Sequence, residues 1–327
     1  MSRQLHARRI EGVEKNIWLE FTQLAADCKA VNLGQGFPDF SPPDFVKKAF
    51  VQATGGEDFI LHQYTRAFGH PALVKILSRF FGRIMGRQID PLGNILVTVG
   101  AYQALFCTFL ALVDEGDKVY KREELQVIAD LCVKHGALCI SDEVYEWLVY
   151  DGAEHVGWAM GPDHLLKHAK TVHQNCVYHC ATAAQEAVAH GFQRELDCFG
   201  KPESYFLQFP RQLQQKRSRL AQSLLAVGMQ PIMPEGGYFL IADISTLKAD
   251  LQDSSDANQE PYDYRFVKWM IKNKGLATIL VSAFYSAEHK KDFENYVRFC
   301  FVKVGLKGFK HAHTSGLKIL LCSVGIQ

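Results

Sequence analysis

Asp142 closes the apolar run Ala137-Leu138-Cys139-Ile140 and is followed by Val144 and Tyr145. The carboxyl end of a buried strand is where α/β sheets place their ligands. A carboxylate there can pair with a protonated pyridine nitrogen and keep a cofactor ring electron-withdrawing, with Tyr145 donating to a ring oxygen and Val144 packing on the ring. The same aspartate can instead cap the next turn. Gly100-Ala101-Tyr102 follows another apolar run, Ile95 to Val99. Small residues at such a junction let backbone N–H groups approach a phosphate at a helix N-terminus, although a purely structural turn uses the same glycine. Arg298 interrupts the apolar segment Tyr296 to Phe301, and its fork suits a substrate carboxylate or an internal salt bridge. Gly36 could leave room for that carboxylate beside its backbone. Trp18 and Tyr64 could contact a ligand or simply pack.

Other chemistries fall away. His311 and His313 have no third ligand at a useful spacing, so a metal site is not expected. There is no G-x-S-x-G elbow and no P-loop. His179 stands beside Cys180, but nothing in that segment marks a depressed thiol pKa.

These residues must be held by ordinary elements. A short helix is expected over Ile17 to Ala25, then the Gly/Pro-rich loop Asn32 to Asp39. Pro42-Pro43 starts a helix with Phe45, Ala49 and Phe50 on one face. Leu73, Ile76, Leu77 and Phe80 predict a buried stripe over Leu73 to Phe81. Ile95 to Val99 reads as a buried strand turned by Gly100 into a helix, Tyr102 to Val113. A helix Glu123 to Lys134 then leads into the strand Ala137 to Ser141. Alternating helices and apolar strands imply an α/β fold, a mainly parallel sheet with helices on both faces. Further on come a helix from Phe209 to Leu225 with Gly228 as stop signal, a strand Gly237 to Asp243 and a polar loop Lys248 to Gln259. A helix Phe266 to Lys274 ended by Gly275 and the strand Tyr296 to Phe301 complete a smaller α+β domain.

With 327 residues the chain exceeds one core, so a large and a small domain are expected. Lys plus Arg (36) balances Asp plus Glu (35), so no long-range field favours nucleic acid or an anionic membrane, and no apolar stretch reaches the length of a membrane span. Nine cysteines without C-x-x-C spacing suggest reduced thiols. Three arginines and no acid among the first ten residues are compatible with a weak mitochondrial address; the cytoplasm is the expected location.

The segments Asn32 to Phe40, Gln63-Tyr64-Thr65, Val97 to Gly100, Val113 to Asp117, Ser141 to Tyr145, Thr171 to Asn175, Phe266 to Gly275 and Arg298 to Phe301 together resemble the class I/II aminotransferases of pyridoxal 5'-phosphate (PLP) fold-type I. The resemblance is to the kynurenine aminotransferase branch, also known as glutamine transaminase K and cysteine-S-conjugate β-lyase. It covers Leu5 to Val119, Arg122 to Gly152 and about Val156 to Lys303. It implies an N-terminal arm and part of the small domain at 1–40, a truncated PLP-binding domain at 41–208, a small domain at 209–303 and a divergent tail at 304–327. It further implies backbone contacts from Ala101 and Tyr102 to the cofactor phosphate, with Tyr64 reaching the phosphate of a neighbouring subunit in a homodimer. Asp142 and Tyr145 would hold the pyridine ring and Val144 would pack on it. Gly36 and Arg298 would bind the substrate α-carboxylate, with Trp18, Tyr178 and His179 bordering its side chain. The implied reaction is amino-group transfer between an L-amino acid, such as kynurenine or glutamine, and a 2-oxo acid, with β-elimination from cysteine conjugates on the side.

The chain departs from that pattern between Tyr120 and Lys121, where the family has a ring-stacking aromatic residue and an Asn-Pro loop. It departs again between His155 and Val156, where the family has S-x-x-K and a second basic phosphate ligand. From Asp142 to Leu166 there is no lysine; Lys167 and Lys170 follow, and Lys121 precedes. A Schiff base requires that lysine, so transamination is expected to be abolished or nearly so, and Lys121, Lys167 and Lys170 could substitute only by accident of position. The chain could be a partner for a full-length copy in a heterodimer, or an unstable product.

Overall fold

Apolar residues at helical spacing build most of the elements, and prolines and glycines bound them. The structure, a computed structural model, describes residues 17–112, 159–247, 251, 260–286 and 288–303. Contacts divide the chain into a middle unit, residues 42–210, and a terminal unit of residues 1–41 and 211–327.

In the terminal unit, helix α1 (Ile17–Asp27) buries Phe21 and Ala25. Strand β1 (Val31–Asn32) leads into the glycine-rich loop. In the middle unit, α2 (Asp44–Gly55) follows Pro43 and buries Ala49 and Ala53. The sequence places Phe50 on that face, yet Phe50 is exposed. The face is built for close approach, with Ala49 and Ala53 packed on Ala187, and a phenylalanine does not fit such a seam. Helix α3 (Pro71–Met85) carries proline in its first turn and ends at Gly86, whose φ of 61° suits only glycine without strain. Its stripe of Leu73, Ile76, Leu77 and Phe80 is buried, together with Val74 and Phe81. Phe80 is the hub of the middle core, with ring centroids of Phe192, Phe199 and Phe206 at 5.2, 5.4 and 5.6 Å.

Strand β2 (Ile95–Leu96) is shorter than its apolar run. Val97 is buried but Val99 is exposed, since the chain turns at Gly100 into α4 (Gly100–Leu112). Strand β3 (Ala159–Met160) pairs antiparallel with β2. Helices α5 (Asp163–Cys176) and α6 (Thr182–Cys198) follow, and α7 (Tyr205–Leu225), with Pro210 inside it, runs on into the terminal unit.

The terminal unit continues with β4 (Gln230–Ile232), β5 (Phe239–Asp243), α8 (Tyr262–Lys274), β6 (Leu276–Ala277), β7 (Ile279–Leu280) and β8 (Tyr296–Cys300). Its antiparallel sheet has the order β4-β5-β8-β7. β1 pairs with β6, in parallel. Gly275 ends α8 in the left-handed region at φ 62°, with its N–H bonded to Ile271 O. The expected helix Glu123 to Lys134, the strand Ala137 to Ser141, and nearly all of the loop Lys248 to Gln259 lie outside the described residues. So do Asp142, Val144 and Tyr145.

Candidate active site

Arg298 sits on β8, opposite Ile241 on β5 and Ile279 on β7. Alternation along the strand turns Val297 and Phe299 into the core and Arg298 to the other face. There its guanidinium carbon lies 3.8 Å from the ring centroid of Phe239, 4.9 Å from Phe284 and 5.4 Å from Trp18. Nη2 donates to Gly34 O at 3.2 Å. Rings over a guanidinium are attracted to its charge and strip water from its faces. The N–H fork radiates in the plane, the direction from which a carboxylate engages it bidentately.

The loop under this box is locally wound. Asn32 Oδ1 accepts from Gly34 N at 3.0 Å and Gln35 N at 3.1 Å, an Asx turn. Lys303 Nζ donates to Phe37 O at 2.7 Å and lies 3.7 Å from the Phe37 ring centroid. A Cβ at Gly36 would fall 2.3 Å from Phe239 Cζ and 2.7 Å from Tyr238 Cε2. Glycine at this position makes room for the aromatic rings of Phe239 and Tyr238 beside its backbone. Trp18 is at once packed and partly open, 6.1 Å from Phe284 between ring centroids.

The middle unit gathers a second set. Tyr64 is 81% exposed. Its ring lies 4.9 Å from His179 and 6.4 Å from Tyr178. Tyr178 has φ 75°, a left-handed conformation costly for a non-glycine residue, and caps α5 by donating its N–H to His173 O. His173 is buried, which lowers its pKa, and the backbone of Ala67 pulls in the other direction. Ala101 and Tyr102 lie in the first turn of α4 after Gly100, whose φ is 75°. Among the described residues no atom outside the turn lies within 4 Å of a Cβ built on Gly100, and Tyr102 is 90% exposed.

A polar strap that the sequence reading missed fastens the Tyr64 loop to α6. Thr182 Oγ1 donates to Gln63 O at 2.6 Å and His70 N donates to Gln185 Oε1 at 2.6 Å. Glu186 takes His70 Nε2 at 2.9 Å and His190 Nε2 at 3.0 Å, and Thr65 Oγ1 meets His70 Nδ1 at 3.0 Å. Only the Glu186/His190 spacing of four was visible in sequence. His179 bonds through Nδ1 to Cys180 O at 2.8 Å, and burial raises the Cys180 thiol pKa.

The lysines of α5 are committed or turned outward. Lys170 Nζ donates to Leu92 O at 2.8 Å and Gly93 O at 2.6 Å, with Asp163 Oδ1 at 3.7 Å. Burial lowers its pKa, against the pull of Asp163. Lys167 is exposed.

Comparison with known proteins completes the picture. The family model described as "Aminotransferase class I and II" matches residues 29–121 and 152–304. Kynurenine–oxoglutarate transaminase 1 of Mus musculus is 45% identical over 404 residues, covering 93% of this chain and 95% of the relative. Kynurenine–oxoglutarate transaminase 3 of Homo sapiens is 42% identical over 398 residues, covering 91% and 87%. Both alignments are longer than the 327 residues of the chain, so the relatives hold stretches with no counterpart in it. Among solved structures, Saccharomyces cerevisiae Bna3p superposes with a TM-score of 0.85 at 21% identity, over 98% of this chain and 100% of that one. Aspartate aminotransferase of Thermus thermophilus superposes with a TM-score of 0.74 at 20% identity, over 98% of each chain. The fold is that of the fold-type I aminotransferases.

Proposed function

The chain belongs to the class I and II aminotransferases, and from that premise we propose that it recognises the carboxylate of amino and 2-oxo acids but does not carry amino transfer to turnover on its own. The family's reaction is transamination with PLP, which supplies an electron sink for the bonds at the substrate Cα. The open first turn of α4 fits the phosphate of that cofactor, with Ala101 and Tyr102 as the backbone donors. The aldehyde end is not matched. The observation that carries the proposal is the state of the lysines: none lies between Asp142 and Lys167, and Lys170 is buried with its ammonium held by two carbonyls.

What this chain's own residues do is bind and orient. Arg298 meets an α-carboxylate with its fork, and Trp18, Phe239 and Phe284 keep water from the guanidinium faces, strengthening the attraction. Gly36 lets Tyr238 and Phe239 close on the loop. Asp142, Val144 and Tyr145 are assigned to the cofactor ring and Tyr178 and His179 to the substrate side chain, on the strength of the family resemblance. Kynurenine, glutamine and aromatic amino acids are the expected amino acids, and β-elimination from cysteine conjugates the expected side reaction of a complete homologue. The exposed Tyr64 supports a homodimer, or a heterodimer with a full-length copy, in which it reaches across to a partner. A cytoplasmic location, with mitochondria as the alternative, belongs to the same reading. Among the described residues no helix is long and apolar enough to cross a membrane.

The test is to incubate the purified chain with PLP, reduce it with borohydride and search for pyridoxyl-lysine by mass spectrometry, while assaying kynurenine with 2-oxoglutarate. We expect no stoichiometric adduct and no turnover. One uniquely modified lysine accompanied by turnover would overturn the proposal.

A further inference from the structure

Two of the three rings around Arg298, Phe284 and Trp18, sit on elements that α8 also touches. Asp263, fully buried in its first turn, accepts from Ser282 N and Ser282 Oγ, both at 2.8 Å, and so fixes the short turn Ser282–Phe284 that carries one ring. The next residue, Tyr264, donates its hydroxyl to Glu20 Oε1 at 2.5 Å. One turn on, Lys268 Nζ reaches the same oxygen at 3.0 Å, lies 4.3 Å from the Tyr264 ring centroid and has Glu260 at 3.7 Å. Glu20 is on α1, two residues from Trp18, and Phe21 of the same helix meets Tyr264 edge-on at 5.2 Å.

An isolated helix of eleven residues is marginal in water. The orientation of α1, and with it of Trp18, therefore depends on what it docks against, which is α8 together with β6, the partner of the strand that follows it. Phe21 and Ala25 supply non-directional burial, while the bonds to Glu20 supply direction. We propose that Glu20, Tyr264 and Lys268 are positioning residues: by seating α1 on α8 they hold Trp18 over the Arg298 guanidinium and thereby set the affinity of the terminal unit for a carboxylate. The proposal rests on Arg298 being the carboxylate ligand. Both donors keep their protons over the ordinary pH range. The Tyr264 pKa is pushed up to about 12, by burial first and then by the bond to Glu20. Burial alone would lower the Lys268 pKa, but the bonds to Tyr264 and Glu20 outweigh it and raise it.

The test titrates the full chain with 3-phenylpropionate, an unreactive carboxylate, by isothermal calorimetry, alongside thermal melts. Glu20→Gln and Tyr264→Phe should each weaken binding roughly three- to tenfold, while Arg298→Gln should abolish it. In a Trp18→Phe background, Glu20→Gln should add little, because positions acting through one group are not additive. A merely structural role would lower the melting temperature without that coupling. Unchanged affinity in Glu20→Gln and Tyr264→Phe, or an undiminished loss in the Trp18→Phe background, would overturn the proposal. Binding that Arg298→Gln leaves intact, or no binding by the unsubstituted chain, would overturn the carboxylate reading itself. Should Tyr264→Phe prove too unstable to titrate, Lys268→Met tests the same clamp from the solvent side, with the same weakening expected and unchanged affinity overturning it.

Discussion

The two units hold their candidate residues in opposite ways. In the terminal unit Arg298 is one position of a paired strand, boxed by three rings and bonded to a loop pinned by Asn32 and Lys303. In the middle unit Tyr64 and Tyr102 stand in the open, and α4 exposes Phe106, Phe109 and Leu110 as well. The difference follows the sheets. The terminal unit has four strands in register, so a side chain on one is fixed by its neighbours. The described sheet of the middle unit is the pair β2 and β3, of two residues each, and its site residues hang on a helix end and a loop.

The contrast can be broken first at the middle core. Phe80→Ala removes the hub of a phenylalanine cluster and should cost about 3–5 kcal/mol by urea unfolding. It should leave 3-phenylpropionate affinity unchanged in conditions where the chain stays folded; a loss of affinity would mean the two regions are not independent. Gly36→Ala comes next. Its Cβ must displace the ends of the Phe239 and Tyr238 rings, so a destabilisation of about 1–3 kcal/mol is expected together with weaker carboxylate binding. A neutral Gly36→Ala would show that the Arg298 box yields easily.

Tyr178→Gly should relieve a left-handed backbone and stabilise the middle unit by up to about 1 kcal/mol, less whatever the ring contributes on His179 and Tyr64. A clear loss of stability would show that the aromatic trio is a packed structure rather than an open one. The last effect is absent at neutral pH. Burial lowers the His173 pKa, so as pH falls into the ordinary imidazole range the unfolded chain takes up a proton that the folded chain resists. Stability should fall as pH drops through that range, and His173→Gln should lack this component when urea midpoints at pH 7.5 and 5.5 are compared.

Much of this was legible in the residue order. The stripe Leu73, Ile76, Leu77, Phe80 and the alternation around Arg298 come from periods that any helix or strand must obey, and Gly275 stops α8 because only glycine enters the left-handed region freely. The missing lysine is likewise a property of the chain, independent of how it folds. Other features needed the fold. Phe50 satisfies the period of α2 yet is exposed, since Ala49 and Ala53 make the part of that face packed on Ala187. Val99 satisfies the period of a strand yet lies beyond its end, because a strand lasts only as long as its pairing partner.

The residue types alone decided that Arg298 would be a cation in an apolar strand and therefore would need partners. Which partners it met was decided in three dimensions. Trp18, Phe239 and Phe284 come from a helix, a strand and a turn far apart in the chain, and Asp263 and Tyr264 of α8 hold two of those three. Local periodicity acts between neighbours in sequence, whereas a guanidinium is surrounded by whatever the packing of distant elements brings to it.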